Sequence, residues 1–193
     1  MVRIPARHRP TRRPAHVSPA PAIAARVLRV TGVVQGVGFR PFVHRIAVSH
    51  ALSGWVRNCA GAVEIYVEGR DDELTAFQRE LHAGAPSVSV IDDVAVMTAV
   101  PTGSRDFRIV ASADASGSRR VSVDLATCAE CERELFDEAN RRFAYPFITC
   151  TNCGPRYTIV DALPFDRERT TMAEFAICEA CAAEYAAAGD RRH

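Results

Sequence analysis

The stretch VVQGVGFR, Val33 to Arg40, places glycines at Gly36 and Gly38 just before an arginine. Glycine lets successive backbone N–H groups converge on an anion, and an arginine beside them adds a rigid positive fork. The loop from Gln35 through Gly36, Val37, Gly38 and Phe39 to Arg40 is therefore a candidate phosphate cradle. Two familiar phosphate loops are excluded. All 24 basic residues are arginine, so there is no Walker lysine, and Gly36-Val37-Gly38 continues as Phe39-Arg40-Pro41, without the third glycine of a dinucleotide fingerprint. Taken alone, the spacing also fits a plain tight turn with Arg40 at the surface. A second stretch, GWVRNCAG from Gly54 to Gly61, ends a strand-like run at Asn58. An asparagine amide both donates and accepts, so Asn58 can orient a water for in-line attack on phosphorus; alone, it also fits a turn.

The last third carries different chemistry. Six of the seven cysteines form the pairs Cys128/Cys131, Cys150/Cys153 and Cys178/Cys181, and Cys59 stands apart. The first two pairs enclose 18 residues, a spacing at which two tight turns each offer two thiolates to one tetrahedral zinc ion. A thioredoxin-like redox role lacks the expected βαβ setting. A shift of fifty residues carries Cys128 and Cys131 onto Cys178 and Cys181, Glu134 onto Glu184, and Asn140-Arg141-Arg142 onto Asp190-Arg191-Arg192. The third pair thus reads as the opening half of a second finger. Pairing of Cys150 and Cys153 with Cys178 and Cys181 is the alternative, across a gap of 24 residues.

These residues need elements to hold them. Val27 to Val34 reads as a strand, and Phe39, Phe42, Val43, Ile46 and Ala47 form a helical stripe after it. Gly54 to Arg57 is a second strand, and the alternation of Val63, Ile65 and Val67 with polar residues is a third. Asp71, Asp72 and Glu73 suit the positive end of a helix whose face is Leu74, Phe77 and Leu81. Strands follow near Ile91–Met97 and Arg105–Val110, giving the order βαββαβ of a ferredoxin-like α+β sandwich over about 85 residues. Trp55 is expected over the sheet core, and His44 at or just below the surface of the first helix. The expected organisation is a disordered Arg/Pro/Ala-rich tail at 1–25, the sandwich at 26–111, a polar linker at 112–120 and a small zinc-finger domain at 121–193.

With both stretches in hand, VVQGVGFR and GWVRN resemble the paired signatures of the acylphosphatases, small ferredoxin-like enzymes that hydrolyse carboxyl-phosphate anhydrides. The resemblance implies that Arg40 and the loop amides bind the phosphoryl group and that Asn58 places the attacking water. Members often carry glycine where Ala62 stands here. Extended by DLATC, YPFITCTNCGPRYTIV and LPFDRERTTM, the whole arrangement resembles the N-terminal part of the HypF family of hydrogenase maturation factors. That resemblance implies cleavage of carbamoyl phosphate to carbamate. Later domains then adenylate carbamate and pass the carbamoyl group to the partner HypE, which feeds cyanide ligands to the iron of [NiFe]-hydrogenases. Those domains are not in this sequence.

Other classes fit less well. A stand-alone acylphosphatase of general metabolism leaves the finger repeat unexplained. A nucleic-acid-binding zinc module needs a basic stripe, but Arg133, Arg141, Arg142 and Arg156 are interspersed with Glu130, Glu132, Glu134, Asp137 and Glu138. Net charge of +1 gives no general pull toward nucleic acid, and no run of 18 apolar residues suggests a membrane span. Paired cysteines without a secretory signal point to a reducing, cytoplasmic setting. Cys59 has no histidine beside it in sequence to activate it and reads as a packing residue. The sandwich is expected to keep its activity when metal is stripped, because it has a core of its own.

Overall fold

A computed structural model of the chain describes residues 22–59, 61–113, 124–154, 157–162 and 166–193. Most of the expected tail and linker lie outside the described residues. Five strands and two helices run in the order β1 (Ile23–Val33), α1 (Phe39–Ser49), β2 (Ser53–Cys59), β3 (Ala62–Arg70), α2 (Asp71–Ala83), β4 (Val90–Ala99) and β5 (Phe107–Ile109). The sheet order is β4-β1-β3-β2-β5. Each helix crosses over one intervening strand: α1 joins the parallel strands β1 and β2 around β3, and α2 joins β3 and β4 around β1. This is the expected sandwich. β1 starts earlier than its apolar run suggested, because Ile23, Ala24 and Ala25, placed with the tail on composition, pair with Arg70, Gly69 and Glu68 on β3.

The expected helical stripes are the buried ones. Phe39, Phe42, Val43, Ile46 and Ala47 of α1 and Leu74, Phe77 and Leu81 of α2 pack on Leu28, Val30, Val56, Ile65 and Val67 of the sheet. Burying each large side chain contributes roughly 1.5–3 kcal/mol before chain entropy is counted. Helix α2 opens with three acids in its first turn, and the Arg70 N–H donates to Glu73 Oε2 at 3.0 Å. Trp55 departs from expectation. Strand alternation turns it away from the core face that Val56 occupies, and it stacks on its cross-strand partner Tyr66 at 6.1 Å, under the Arg57 guanidinium. Below that pair, Glu68 is buried and accepts from the Tyr66 hydroxyl and the Thr102 N–H, both at 2.6 Å, which pins the loop between β4 and β5.

Beyond residue 123 two short helices stand out, α3 (Ala129–Phe136) and α4 (Glu179–Ala186). Each is entered through a cysteine, Cys128 or Cys178, in extended conformation. The fifty-residue repeat is thus a structural repeat. Its halves grip each other reciprocally: Arg141 and Arg142 of the first pair with Glu184 of the second, and Arg191 and Arg192 of the second pair with Glu134 of the first.

Candidate functional site

The loop after β1 is shaped by which of its residues are buried. Val37 and Phe39 are anchored in the core at 0% and 1% exposure, while Gly36 and Gly38, each just before one of them, stay partly open. Both glycines have positive φ, 69° and 72°, which side-chain-bearing residues adopt only with strain. Gly38 is the N-cap of α1 and offers no side chain, so the first N–H groups of the helix have no side-chain cap. An uncapped helix start beside a glycine turn presents donors and the positive end of the dipole to one anion. Arg40 follows in the first turn, partly buried at 23% side-chain exposure.

Two contacts tie this loop to the end of β2. Gln35 Nε2 donates to the carbonyl oxygen of Ala62 at 2.9 Å, where the chain enters β3. Asn58 is opposite Val63 on β3, and Val63 is opposite Val30 on β1. Asn58 therefore stands two strand spacings from Val30, roughly 10 Å, at the sheet end that carries the loop. Its side chain is fully buried, and its carbonyl oxygen accepts from the Ala113 N–H at 2.9 Å. Cys59 packs beside it at 8% exposure, and His44 meets Phe107 edge-on at 6.0 Å.

The thiols of Cys128, Cys131, Cys150 and Cys153 all lie within 4.8 Å of one another. Neighbouring sulfurs are 3.5 Å (Cys128–Cys150), 3.7 Å (Cys150–Cys153) and 3.8 Å (Cys131–Cys153) apart. An ion held tetrahedrally by four thiolates at ~2.3 Å requires edges of ~3.8 Å, so the cluster fits a metal ion as it stands. Backbone N–H groups of Cys150 and Asn152 point at the sulfurs of Cys153 and Cys150, at 3.3 and 3.4 Å, and offset thiolate charge. The Cys153 thiol is lowered to about 3, first by its hydrogen bond with Cys150, whereas that same contact and burial raise Cys150. Cys178 and Cys181 lie outside the cluster. Cys178 is exposed, and Arg141 Nη1 donates to Cys181 Sγ at 3.1 Å.

Several residues at these sites were not singled out in the sequence. Arg191 donates from Nη1 to Cys131 Sγ at 3.1 Å, while its carbonyl oxygen accepts from the Thr151 N–H at 2.7 Å. The repeat that aligns Arg191 with Arg141 was the available signal. Asp166 forms an ion pair with Arg40, Oδ1 to Nη1 at 3.0 Å, although 126 residues separate them. The Cys150–Cys153 knuckle also touches the glycine loop. A Cβ on Gly38 would meet the Thr151 Cβ at 2.9 Å, and one on Gly154 would meet the Gly36 carbonyl oxygen at 2.9 Å. The sandwich and the finger therefore share a contact at the loop, which the reading of two self-sufficient domains did not anticipate.

The acylphosphatase family pattern matches residues 26–109, and the HypF finger pattern matches residues 127–160. A carbamoyltransferase HypF from Rhizobium leguminosarum bv. viciae is 48% identical over 146 residues, 76% of this chain and 19% of the relative. An acylphosphatase from Thermotoga petrophila is 42% identical over 83 residues, 42% of this chain and 91% of the relative. The crystal structure of a full-length HypF in a phosphate- and nucleotide-bound form superposes with a TM-score of 0.85 at 45% identity, covering 90% of this chain and 23% of that one. This chain spans about a fifth of the length of the HypF relatives it matches. Among the described residues no helix is long and apolar enough to cross a membrane.

Proposed function

The chain belongs to the acylphosphatase family, and from that premise we propose that it hydrolyses an acyl phosphate, with carbamoyl phosphate as the physiological substrate. In this reading Arg40 and the amides from Gln35 to Phe39 hold the phosphoryl oxygens, and Asn58 positions the water. The P–O bond to the acyl oxygen breaks as the new P–O bond forms, releasing carbamate and phosphate. No strong protein base is required, because an acyl phosphate carries a good leaving group and the transition state gathers charge on the phosphoryl oxygens. The observation that carries the proposal is the uncapped glycine turn of α1 standing at the same sheet end as buried Asn58.

The finger favours the carbamoyl substrate over a general metabolic role. Its match to HypF suggests the N-terminal module of a carbamoyltransferase in [NiFe]-hydrogenase maturation. Adenylation and transfer to HypE belong, by resemblance, to the parts of those longer relatives that this chain does not match. Zinc is the ion we assign to Cys128, Cys131, Cys150 and Cys153, where it would cross-link the two turns and fix the knuckle. A phosphate-release assay with carbamoyl, acetyl and benzoyl phosphate tests the function. Carbamoyl phosphate is expected to be turned over with the highest kcat/KM, and failure to hydrolyse any of the three would overturn the assignment.

A further inference from the structure

Asp166 stands beside the Arg40 guanidinium, the side chain assigned above to the phosphoryl group. It lies in a turn closed by the Val160–Thr170 bridge and by Asp161 and Ala162 N–H groups donating to the Arg169 carbonyl oxygen at 3.0 and 3.1 Å. Its own carbonyl oxygen accepts from the Arg169 N–H at 2.9 Å, so the backbone that presents the carboxylate is held. The side chain is 24% exposed and meets Arg40 Nη1 at 3.0 Å. A carboxylate is an odd neighbour for an arginine assigned to phosphate, because it repels the phosphoryl group that the arginine attracts. It offsets that cost by orienting the guanidinium, by contacting another part of the substrate, or by both.

Acyl phosphates differ at one end. The carbamoyl group ends in NH2, which donates two hydrogen bonds, whereas acetyl ends in a methyl group that donates none. A phosphoryl group taken up by the Arg40 guanidinium would share that side chain with the Asp166 carboxylate, 3.0 Å from Nη1, which brings the carboxylate beside the rest of the substrate. An ionised carboxylate can only accept, so it favours a substrate that brings a donor and is left desolvated by a methyl group.

Resting on the acylphosphatase reading of Arg40, we propose that Asp166 is a specificity-determining residue that accepts a hydrogen bond from the carbamoyl NH2 group and so selects carbamoyl phosphate over acetyl phosphate. The finger, in this proposal, supplies part of the substrate pocket and the sandwich supplies the phosphate half. The loss of one hydrogen bond to a charged acceptor corresponds to a change of roughly 10-fold to 100-fold in discrimination.

The test is the ratio of kcat/KM for carbamoyl phosphate to that for acetyl phosphate, measured by phosphate release on the full 193-residue chain. Asp166→Ala should lower the ratio at least about 10-fold, mainly by loss on carbamoyl phosphate. Asp166→Asn is nearly isosteric but keeps only a neutral acceptor, so it should lower the ratio several-fold and decides the question should the alanine variant be unstable. A ratio unchanged in both variants, with the two substrates falling together, would overturn the proposal and leave Asp166 as an orienting partner of Arg40. Wild-type protein that hydrolyses neither substrate would instead overturn the acylphosphatase reading beneath it.

Discussion

The carbonyl oxygen of Gly36 lies 2.9 Å from the point where a Cβ on Gly154 would stand, so the cysteine knuckle and the glycine loop meet backbone to backbone. Gly154 has φ of 68° and donates its N–H to the Cys150 carbonyl oxygen at 2.8 Å, while the Thr149 hydroxyl bonds its carbonyl. A glycine is needed there twice over, for the positive φ and for the close approach.

Gly154→Ala should therefore act on catalysis as well as on stability. A non-glycine residue at positive φ costs about 1–2 kcal/mol, and the added methyl must push the Gly36 carbonyl aside. Displacing a phosphate loop by even ~1 Å is enough to lose on the order of 100-fold in rate. Thermal melts and phosphate release should show a modest fall in Tm with a disproportionate fall in kcat/KM. A Tm shift with unchanged kinetics would show that the contact does not govern the loop.

Metal removal should follow the same route. The purified chain should bind one zinc tightly, and Cys150→Ser should abolish it, as metal analysis will show. Chelation should then reduce hydrolysis and added zinc should restore it, because the Thr151–Gly154 knuckle backs the loop from Gly36 to Gly38. This reverses the expectation that a sandwich with its own core keeps full activity without metal. Activity indifferent to chelation, in protein proved metal-free, would return the finger to a separate role.

Arg40→Ala should lower kcat/KM by on the order of 10³-fold or more with the fold intact, since it removes a charge aimed at the transition state. Asn58→Ala should mainly lower kcat, because water placement is not substrate binding. Cys59→Ala should stay active. Steady-state kinetics with circular dichroism separate these outcomes, and normal turnover in folded Arg40→Ala would remove the site from this loop.

Glu68 sets an acid limit on stability. Burial alone would raise its carboxyl, but hydrogen bonds from the Tyr66 hydroxyl and the N–H groups of Thr102, Ser104 and Gly103 outweigh it and hold the carboxyl below its ordinary range. A depressed folded value contributes stability that is complete above the unfolded value and is lost as pH falls toward the folded one. Glu68→Gln should cost roughly 1–3 kcal/mol at neutral pH, and the difference from wild type should shrink below about pH 4. Urea midpoints across that range give the answer; a difference independent of pH would assign the loss to shape instead of charge.

The sandwich was legible because each of its elements repeats a local pattern. The stripe from Phe39 to Ala47 and the alternation from Val63 to Val67 state which face is buried without reference to any partner. Arg40 and Asn58 were legible as candidates because residue type and neighbouring glycines limit what they can do. Asp166 was not. Its meaning comes from a single contact across 126 residues, and one aspartate before Arg167 has no periodicity to announce it. Trp55 was misplaced for a related reason: size suggests a core, but strand parity decides the face, and Gly54 and Val56 hold the buried parity. Tail and strand were confused at Ile23 to Ala25, where small residues gave no contrast with the alanine-rich stretch before them.

The exchange of Arg141 and Arg142 for Arg191 and Arg192 across Glu184 and Glu134 is the intramolecular equivalent of an isologous dimer interface, in which residue i meets j and j meets i. A true homodimer is bound by that symmetry, since every substitution appears in both copies. A duplicated chain is not. Here the halves already differ within the matched segments, Asn140 of the first standing where Asp190 stands in the second, yet the grip between them is the same from both sides. Tandem linkage frees each half to change residue by residue while the shared interface continues to hold the pair together.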